Sequence, residues 1–311
     1  MTPFKPRHLL TLRNLSRAEI ERIFSICEDL KTKFAAGERQ PLLPRRVLAL
    51  VFEKPSLRTR VSFEAAMTHL GGSSIFLSDD AGFGKRETVA DFVRVLSSYV
   101  DAIVFRGKRH EVLEEMAEYA TCPIINGLTD QSHPCQALAD LFTLRELAGK
   151  PTGHTLAWVG DANNVARSLA EGCAKLGMRF VMATPEAYQF EPDFLADLKA
   201  ENPAFEFDVT EDPIEAVRDA LAVYTDVWTS MGQESEAEKR RRDFATYQVN
   251  AALMSHTQKG AVFMHCLPAK RGEEVTDDVI DGPQSVVVRQ AANRLHVQKA
   301  VLAWLLGSQG G

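Results

Sequence analysis

The stretch VLALVFEKPSLRTRVSFEAAMTHLGG, residues 47–72, decides the fold class. Its first six residues, Val47 to Phe52, are a short continuous apolar run. Such a run reads as a strand buried on both faces, the kind that parallel sheets use. Glu53 to Thr59 is polar and contains Pro55, which marks a loop. Phe63, Met67 and Leu70 then recur at helical spacing until Gly71-Gly72 ends the run. A buried strand feeding an amphipathic helix is the opening of a βαβ unit.

The alternation extends in both directions. Upstream, Ser16-Arg17-Ala18-Glu19 forms a capping box, followed by Ile20, Ile23, Phe24, Cys27, Leu30 and Phe34 on one helical face, with Gly37 as the stop. Downstream come a strand at 74–77, a loop at 78–87 and a helix at 88–100. A strand at 102–106, a helix at 110–120 and a strand at 123–126 follow. A long helix runs from Pro134, a residue suited to a first turn, to about Gly149. The pattern then restarts, with strands at 156–159, 180–183, 205–209, 222–228 and 262–266 and a final helix at 291–306. The expectation is an α/β protein of two domains, each a parallel sheet flanked by helices, linked by long interdomain helices. The first spans 1–145, with the C-terminal helix 290–311 crossing back to it; the second spans 146–289.

Bulk properties agree. A chain of 311 residues suits about two domains. With 45% hydrophobic and 25% charged residues it has an ordinary globular composition, and its net charge of −6 argues against a nucleic-acid partner. No run approaches ~18 apolar residues, so no membrane partner is expected, and the start MTPFKPRHLL lacks the apolar core of a secretory signal. The five cysteines, at 27, 122, 135, 173 and 266, are odd in number and include no C-x-x-C. Neither a disulfide framework nor a zinc ribbon is expected, and free thiols fit a cytoplasmic location.

In open α/β sheets ligands bind beyond the carboxyl ends of strands. Ser56-Leu57-Arg58-Thr59-Arg60 lies there, at a helix start, where free N–H groups, hydroxyls and guanidinium forks suit a phosphate. The bland alternative is a solvated basic turn capped by Ser56. Arg106 ends the next strand but one, with Lys108 and Arg109 nearby. His133-Pro134-Cys135-Gln136 puts an imidazole donor and an amide at one helix N-terminus, suited to a carbonyl and an amide; a capping His with an exposed Gln is the alternative. In the second half, Gly160-Asp161-Ala162-Asn163-Asn164 stands where a dinucleotide fingerprint would, but G-x-G-x-x-G is absent, which disfavours a nicotinamide dehydrogenase. Asp226-Val227-Trp228-Thr229-Ser230-Met231-Gly232 combines a carboxylate for an ammonium with hydroxyl and backbone donors for a carboxylate, an amino-acid clamp or else an Asx-capped turn. Cys266 sits at a strand tip in His265-Cys266-Leu267-Pro268, and Arg294 opens the last helix.

Together S-L-R-T-R, H-P-C-Q, D-x-x-x-S-M-G and H-C-L-P resemble the ornithine carbamoyltransferases over nearly the whole chain. The first and second motifs are shared with aspartate carbamoyltransferases; the last two mark the ornithine branch. The resemblance implies a carbamoyl-phosphate domain followed by an L-ornithine domain, a homotrimer or multiple of trimers with shared sites, and no metal or organic cofactor. It implies that Ser56, Leu57, Arg58, Thr59, Arg106, His133, Gln136, Cys266, Leu267 and Arg294 hold carbamoyl phosphate. Asn164, Asp226, Ser230 and Met231 would hold ornithine, with Cys266, Arg106, His133 and Asp226 catalytic. Two departures stand out. Leu57 replaces the usual Thr, leaving only its backbone N–H, and Gly82 occupies the position where a neighbouring subunit usually inserts Gln or His. Lys85 is the candidate replacement for that cross-subunit contact, Arg86 the second, with a solvated lysine as the alternative. Putrescine, N-acylated ornithine or aspartate are the rival acceptors, and a non-catalytic paralogue the rival of another class; the carboxylate-plus-turn pattern at 226–232 favours a free α-amino acid.

Overall fold

The structure, a computed structural model, describes residues 6–78, 87–230 and 232–307. Two compact units divide the chain: Met1–Leu138 with Arg294–Gly311, and Ala139–Asn293.

In the first unit, α1 (Arg17–Ala35) begins with the expected capping box: the Ser16 hydroxyl accepts from the Glu19 N–H while the Glu19 carboxylate accepts from the Ser16 N–H. β1 (Val47–Phe52), α2 (Leu57–His69), β2 (Ser73–Leu77), α3 (Val89–Ser97), β3 (Ala102–Arg106), α4 (His110–Tyr119) and β4 (Ile124–Leu128) follow. The strands form a parallel sheet in the order β2-β1-β3-β4. From Leu48 onward, β1 is buried, as its unbroken apolar run requires; each such Val, Leu or Phe contributes about 1.5–3 kcal/mol on burial. Because Phe52 pairs with Arg106, the loops leaving β1 and β3 emerge side by side. That register brings the Ser56 turn and Arg106 together.

α5 (Pro134–Ala148) passes from the first unit into the second. The second unit contains β5 (Thr155–Val159), α6 (Asn164–Leu176), β6 (Arg179–Ala183), α7 (Pro192–Glu201), β7 (Phe207–Thr210), α8 (Pro213–Val217) and β8 (Ala220–Tyr224). After them come α9 (Ala237–Asp243), α10 (Ala251–Met254), β9 (Val262–Met264) and α11 (Asp277–Ile280). Its parallel sheet has the order β7-β6-β5-β8-β9. Trp158 pairs with Tyr224, and Tyr224 with Met264, so the segments after β5, β8 and β9 leave the same edge together. α12 (Val287–Leu306) returns from the second unit to the first.

Several boundaries differ from the sequence reading. β8 stops at Tyr224 and β9 at Met264, so Asp226 and Cys266 lie just past the strands rather than in them. Thr225 and Trp228 are buried, which prolongs the apolar run beyond the hydrogen-bonded ladder. α2 starts at Leu57, making Leu57, Arg58 and Thr59 its first turn rather than loop. α12 starts at Val287, so Arg294 lies two turns inside it instead of opening it. The β-branched run Val286-Val287-Val288, with Val288 77% exposed, hides that start from a periodicity reading.

Candidate functional site

In the first unit, Ser56 caps α2 by accepting from the Thr59 N–H at 3.3 Å. No acidic side chain occupies the first turn, so the positive end of the helix dipole is left for an anion. Leu57 and Arg58 are exposed there. Arg60 is committed elsewhere: it donates to Glu64 at 3.0 Å and lies over the Phe76 ring. Thr59 is buried, and its hydroxyl accepts from Arg294 Nη2 at 3.2 Å. Arg294 Nη1 in turn donates to Gln136 Oε1. One buried guanidinium therefore joins the α2 start to the α5 start. Arg106 and His133 are also buried. Burial, with Arg294 and Arg106 nearby, drives His133 well below the ordinary imidazole range. His133 is thus a neutral ring among cations, suited to a hydrogen bond with a carbonyl or amide rather than to carrying charge. Cys135 is fully buried, donates toward the Asn126 carbonyl and is pushed up to about 12, which makes it an inert core residue.

The second unit gathers a different set. Asp226 Oδ2 accepts from Asn163 Nδ2 at 2.8 Å, and Oδ1 accepts from the Val227 N–H at 2.8 Å and from Cys266 Sγ at 3.1 Å. Asn163 can serve because it is the N-cap of α6: its own Oδ1 takes the Val165 and Ala166 N–H groups, which turns its NH₂ toward Asp226. Asn163 is therefore the residue whose side chain meets Asp226, and Asn164, expected to hold ornithine, is the next residue along, the first of the helix. The N-cap rule applied to G-D-A-N-N contained that signal.

Asp161 and Arg240 are also part of the frame, though the sequence reading missed them. Arg240 Nη1 donates to Asp161 at 2.8 Å and to the Trp228 carbonyl at 3.0 Å, bracing the segment after β8. Burial lifts the Asp161 carboxyl above its usual range despite Arg240. Ser230 follows, its N–H donating to Gln233 Oε1 at 3.1 Å. Met231, Gly82, Lys85 and Arg86 lie outside the described residues.

Cys266 is half-buried, whereas the other four cysteines are buried. The turn behind it is held by His265. The Leu267 N–H donates to His265 Nδ1 at 2.9 Å, so the ring proton sits on Nε2 and is donated to Glu274 at 3.1 Å. Leu267 has φ +59°, an uncommon conformation for a branched residue and one concentrated at working sites. Its N–H is engaged by His265, which leaves its carbonyl for a ligand. Asp226, His265 and Cys266 bring ligand-type atoms within 4.8 Å of one another. Both His265 nitrogens are already engaged, however, so the cluster reads as a hydrogen-bonded frame rather than a cation cage.

Comparison with known proteins fits this division. Residues 7–146 match the aspartate/ornithine carbamoyltransferase carbamoyl-P binding domain, and residues 152–305 match the Asp/Orn binding domain of the same family. The chain belongs to the aspartate/ornithine carbamoyltransferase family. It is 51% identical over 305 residues to an ornithine carbamoyltransferase of Anoxybacillus flavithermus, covering 97% of both chains. It is 52% identical to an anabolic ornithine carbamoyltransferase of Pyrococcus furiosus, covering 97% of this chain and 96% of the relative. The solved structure of ornithine carbamoyltransferase from Pyrococcus furiosus superposes with a TM-score of 0.94 at 49% identity, covering 99% of each chain. A mitochondrial ornithine carbamoyltransferase from Coccidioides immitis, at 31% identity, still reaches 0.91 over 99% of each. Among the described residues, no helix is long and apolar enough to cross a membrane.

Proposed function

We propose that this carbamoyltransferase moves the carbamoyl group of carbamoyl phosphate to the δ-amine of L-ornithine, giving L-citrulline and phosphate. The observation that carries the acceptor assignment is Asp226. Its carboxylate is buried, held by Asn163 and touches the half-buried thiol of Cys266, a pairing suited to an α-ammonium beside a reacting amine. Near-50% identity to proteins named ornithine carbamoyltransferase supports the same acceptor.

In this reading the domain at 1–145, joined by the helix at 290–311, binds carbamoyl phosphate, and 146–289 binds ornithine. Ser56, Arg58, Thr59, Arg106 and the Leu57 N–H hold the phosphate. His133, Gln136, Arg294 and the Leu267 carbonyl orient the carbamoyl group. Asn164, Asp226, Ser230 and Met231 take the ornithine α-groups, with Asn163 aligning Asp226. The δ-ammonium, with a lysine-like pKa near ~10.4, must lose a proton before attack; at pH 7 that costs roughly 4–5 kcal/mol. The half-buried surroundings of Cys266 disfavour the charged ammonium and lower that cost, and the proton passes to solvent. The amine then attacks the carbamoyl carbon, the oxyanion is stabilised by His133 and the guanidinium groups, and phosphate leaves toward Arg58 and Arg106. Removing one such donor costs about 10²–10³ in rate. A homotrimer in the cytoplasm, with Lys85 serving a neighbouring subunit's site, completes the proposal.

Incubation of the purified protein with both substrates, with product identified by mass spectrometry, tests it. Citrulline formation in step with phosphate release is expected. Phosphate release without citrulline would reject the acceptor assignment.

A further inference from the structure

A buried polar cluster adjoins the two segments that carry Asp226 and Cys266. Asp140 on α5, Tyr224 at the end of β8 and Gln290 on α12 are each 0% exposed. Tyr224 donates from its hydroxyl to Asp140 Oδ2 at 3.0 Å. The Gln290 NH₂ donates to Asp140 Oδ1 at 2.7 Å and to the Tyr224 hydroxyl at 3.0 Å, while its Oε1 accepts from the His265 N–H at 3.0 Å. Only one orientation of the Gln290 amide meets all three partners. The Trp158 ring stacks on Tyr224 at 5.1 Å and closes the cluster from the side of β5.

The placement along the chain gives the cluster its meaning. Tyr224 is two residues before Asp226, and His265 immediately precedes Cys266. The ladder between β8 and β9 ends at the Tyr224–Met264 pair. Beyond that pair strand pairing no longer sets the separation of the two segments. Gln290 spans the gap: one amide holds the phenol on the Asp226 side and the backbone N–H on the Cys266 side. A buried polar network is costly unless satisfied, and when satisfied it selects a single geometry. Apolar side chains would fill this volume without fixing the register of the two tips.

We propose that Asp140, Tyr224 and Gln290 are positioning residues for carbamoyl transfer, holding the Cys266 thiol against Asp226 where the acceptor amine arrives. The proposal rests on the ornithine reading of the site for its kinetic arm and on geometry alone for its chemical arm. Gln290→Met keeps volume and removes the amide; Tyr224→Phe removes one oxygen. Each folded variant is compared with the parent by ornithine kinetics, by calorimetric titration with carbamoyl phosphate and by the alkylation rate of Cys266 with iodoacetamide. The other four cysteines are buried, so the reagent reports on Cys266. For Gln290→Met the expected result is a fall in kcat of tenfold or more, carbamoyl phosphate affinity within twofold of the parent and alkylation at least threefold faster. Tyr224→Phe is expected to move the same readouts in the same direction and carries the test alone if Gln290→Met fails to fold. Turnover and alkylation within twofold of the parent, or an equal loss of carbamoyl phosphate affinity, would overturn the proposal. A parent that makes no citrulline would reject the acceptor assignment instead, and the alkylation rates would still decide the positioning role.

Discussion

Replacing Asp226 by Asn changes one atom and separates an amino-acid clamp from a structural turn. The native carboxylate accepts three hydrogen bonds, from Asn163 at 2.8 Å, Val227 at 2.8 Å and Cys266 at 3.1 Å. An Asn side chain has one carbonyl oxygen and one NH₂. If the oxygen faces Val227 and Cys266, the NH₂ opposes the NH₂ of Asn163; if it faces Asn163, the Val227 N–H loses its acceptor. Either way at least one half-buried donor is left unmatched, a stability cost of about 1 kcal/mol. Loss of a charge-assisted bond to the substrate ammonium costs a further ~1.5–3 kcal/mol in ornithine binding. At ~1.4 kcal/mol per decade that is roughly ten- to over a hundredfold. Thermal melts, ornithine kinetics and carbamoyl phosphate calorimetry on one preparation separate the two effects. A large loss confined to ornithine is expected. Ornithine kinetics within twofold of the parent, in a variant whose melting temperature has dropped, would refute the clamp and leave Asp226 a structural residue.

Arg58→Ala is expected to weaken carbamoyl phosphate binding by tenfold or more, since a charged fork at an uncompensated helix start is lost; calorimetry within twofold of the parent would remove Arg58 from the phosphate site. Cys266→Ala should lower turnover and change the pH–rate profile, whereas a thiol that only packs would leave the profile in place. Trimers mixed from Lys85→Ala and Arg58→Ala subunits should recover activity if Lys85 acts across the interface. Absence of recovery, or a Lys85→Ala trimer with parental kinetics, counts against it. Burial holds His133 well below its unfolded value, so below about pH 6.5 the unfolded chain takes up a proton that the native site refuses. Stability should therefore fall as pH drops through that range, and His133→Gln should flatten the slope measured by denaturant titration.

The fold was legible where a buried strand is a continuous, mostly apolar run or a helix carries its own cap: Val47–Phe52, Ala102–Arg106 and the Ser16 capping box match residue for residue. The ends of β8 and β9 were not legible, since Thr225 and Trp228 stay buried after the ladder stops and hydropathy does not record hydrogen-bond pairing. In the site, Arg294, Gln136 and Thr59 do meet, a contact that no spacing argument shows because it joins residues up to 235 positions apart. Asn163, beside the expected Asn164, joins the frame through its bond to Asp226, a role that capping logic selects. Asp161 and Arg240 were invisible for a different reason: a buried ion pair made by a residue in a polar, Arg-rich helix looks like a solvated surface until the packing is known.

The most direct test of the whole account is acceptor selectivity. The ratio kcat/KM is measured for citrulline formation from L-ornithine and, on the same preparation, for carbamoylation of putrescine, N-acetylornithine and L-aspartate. A free α-ammonium facing Asp226 predicts that ornithine exceeds each of the others by at least a hundredfold. Putrescine or acetylornithine within tenfold of ornithine would contradict the assignment of Asp226 and its frame to the amino-acid end of the substrate.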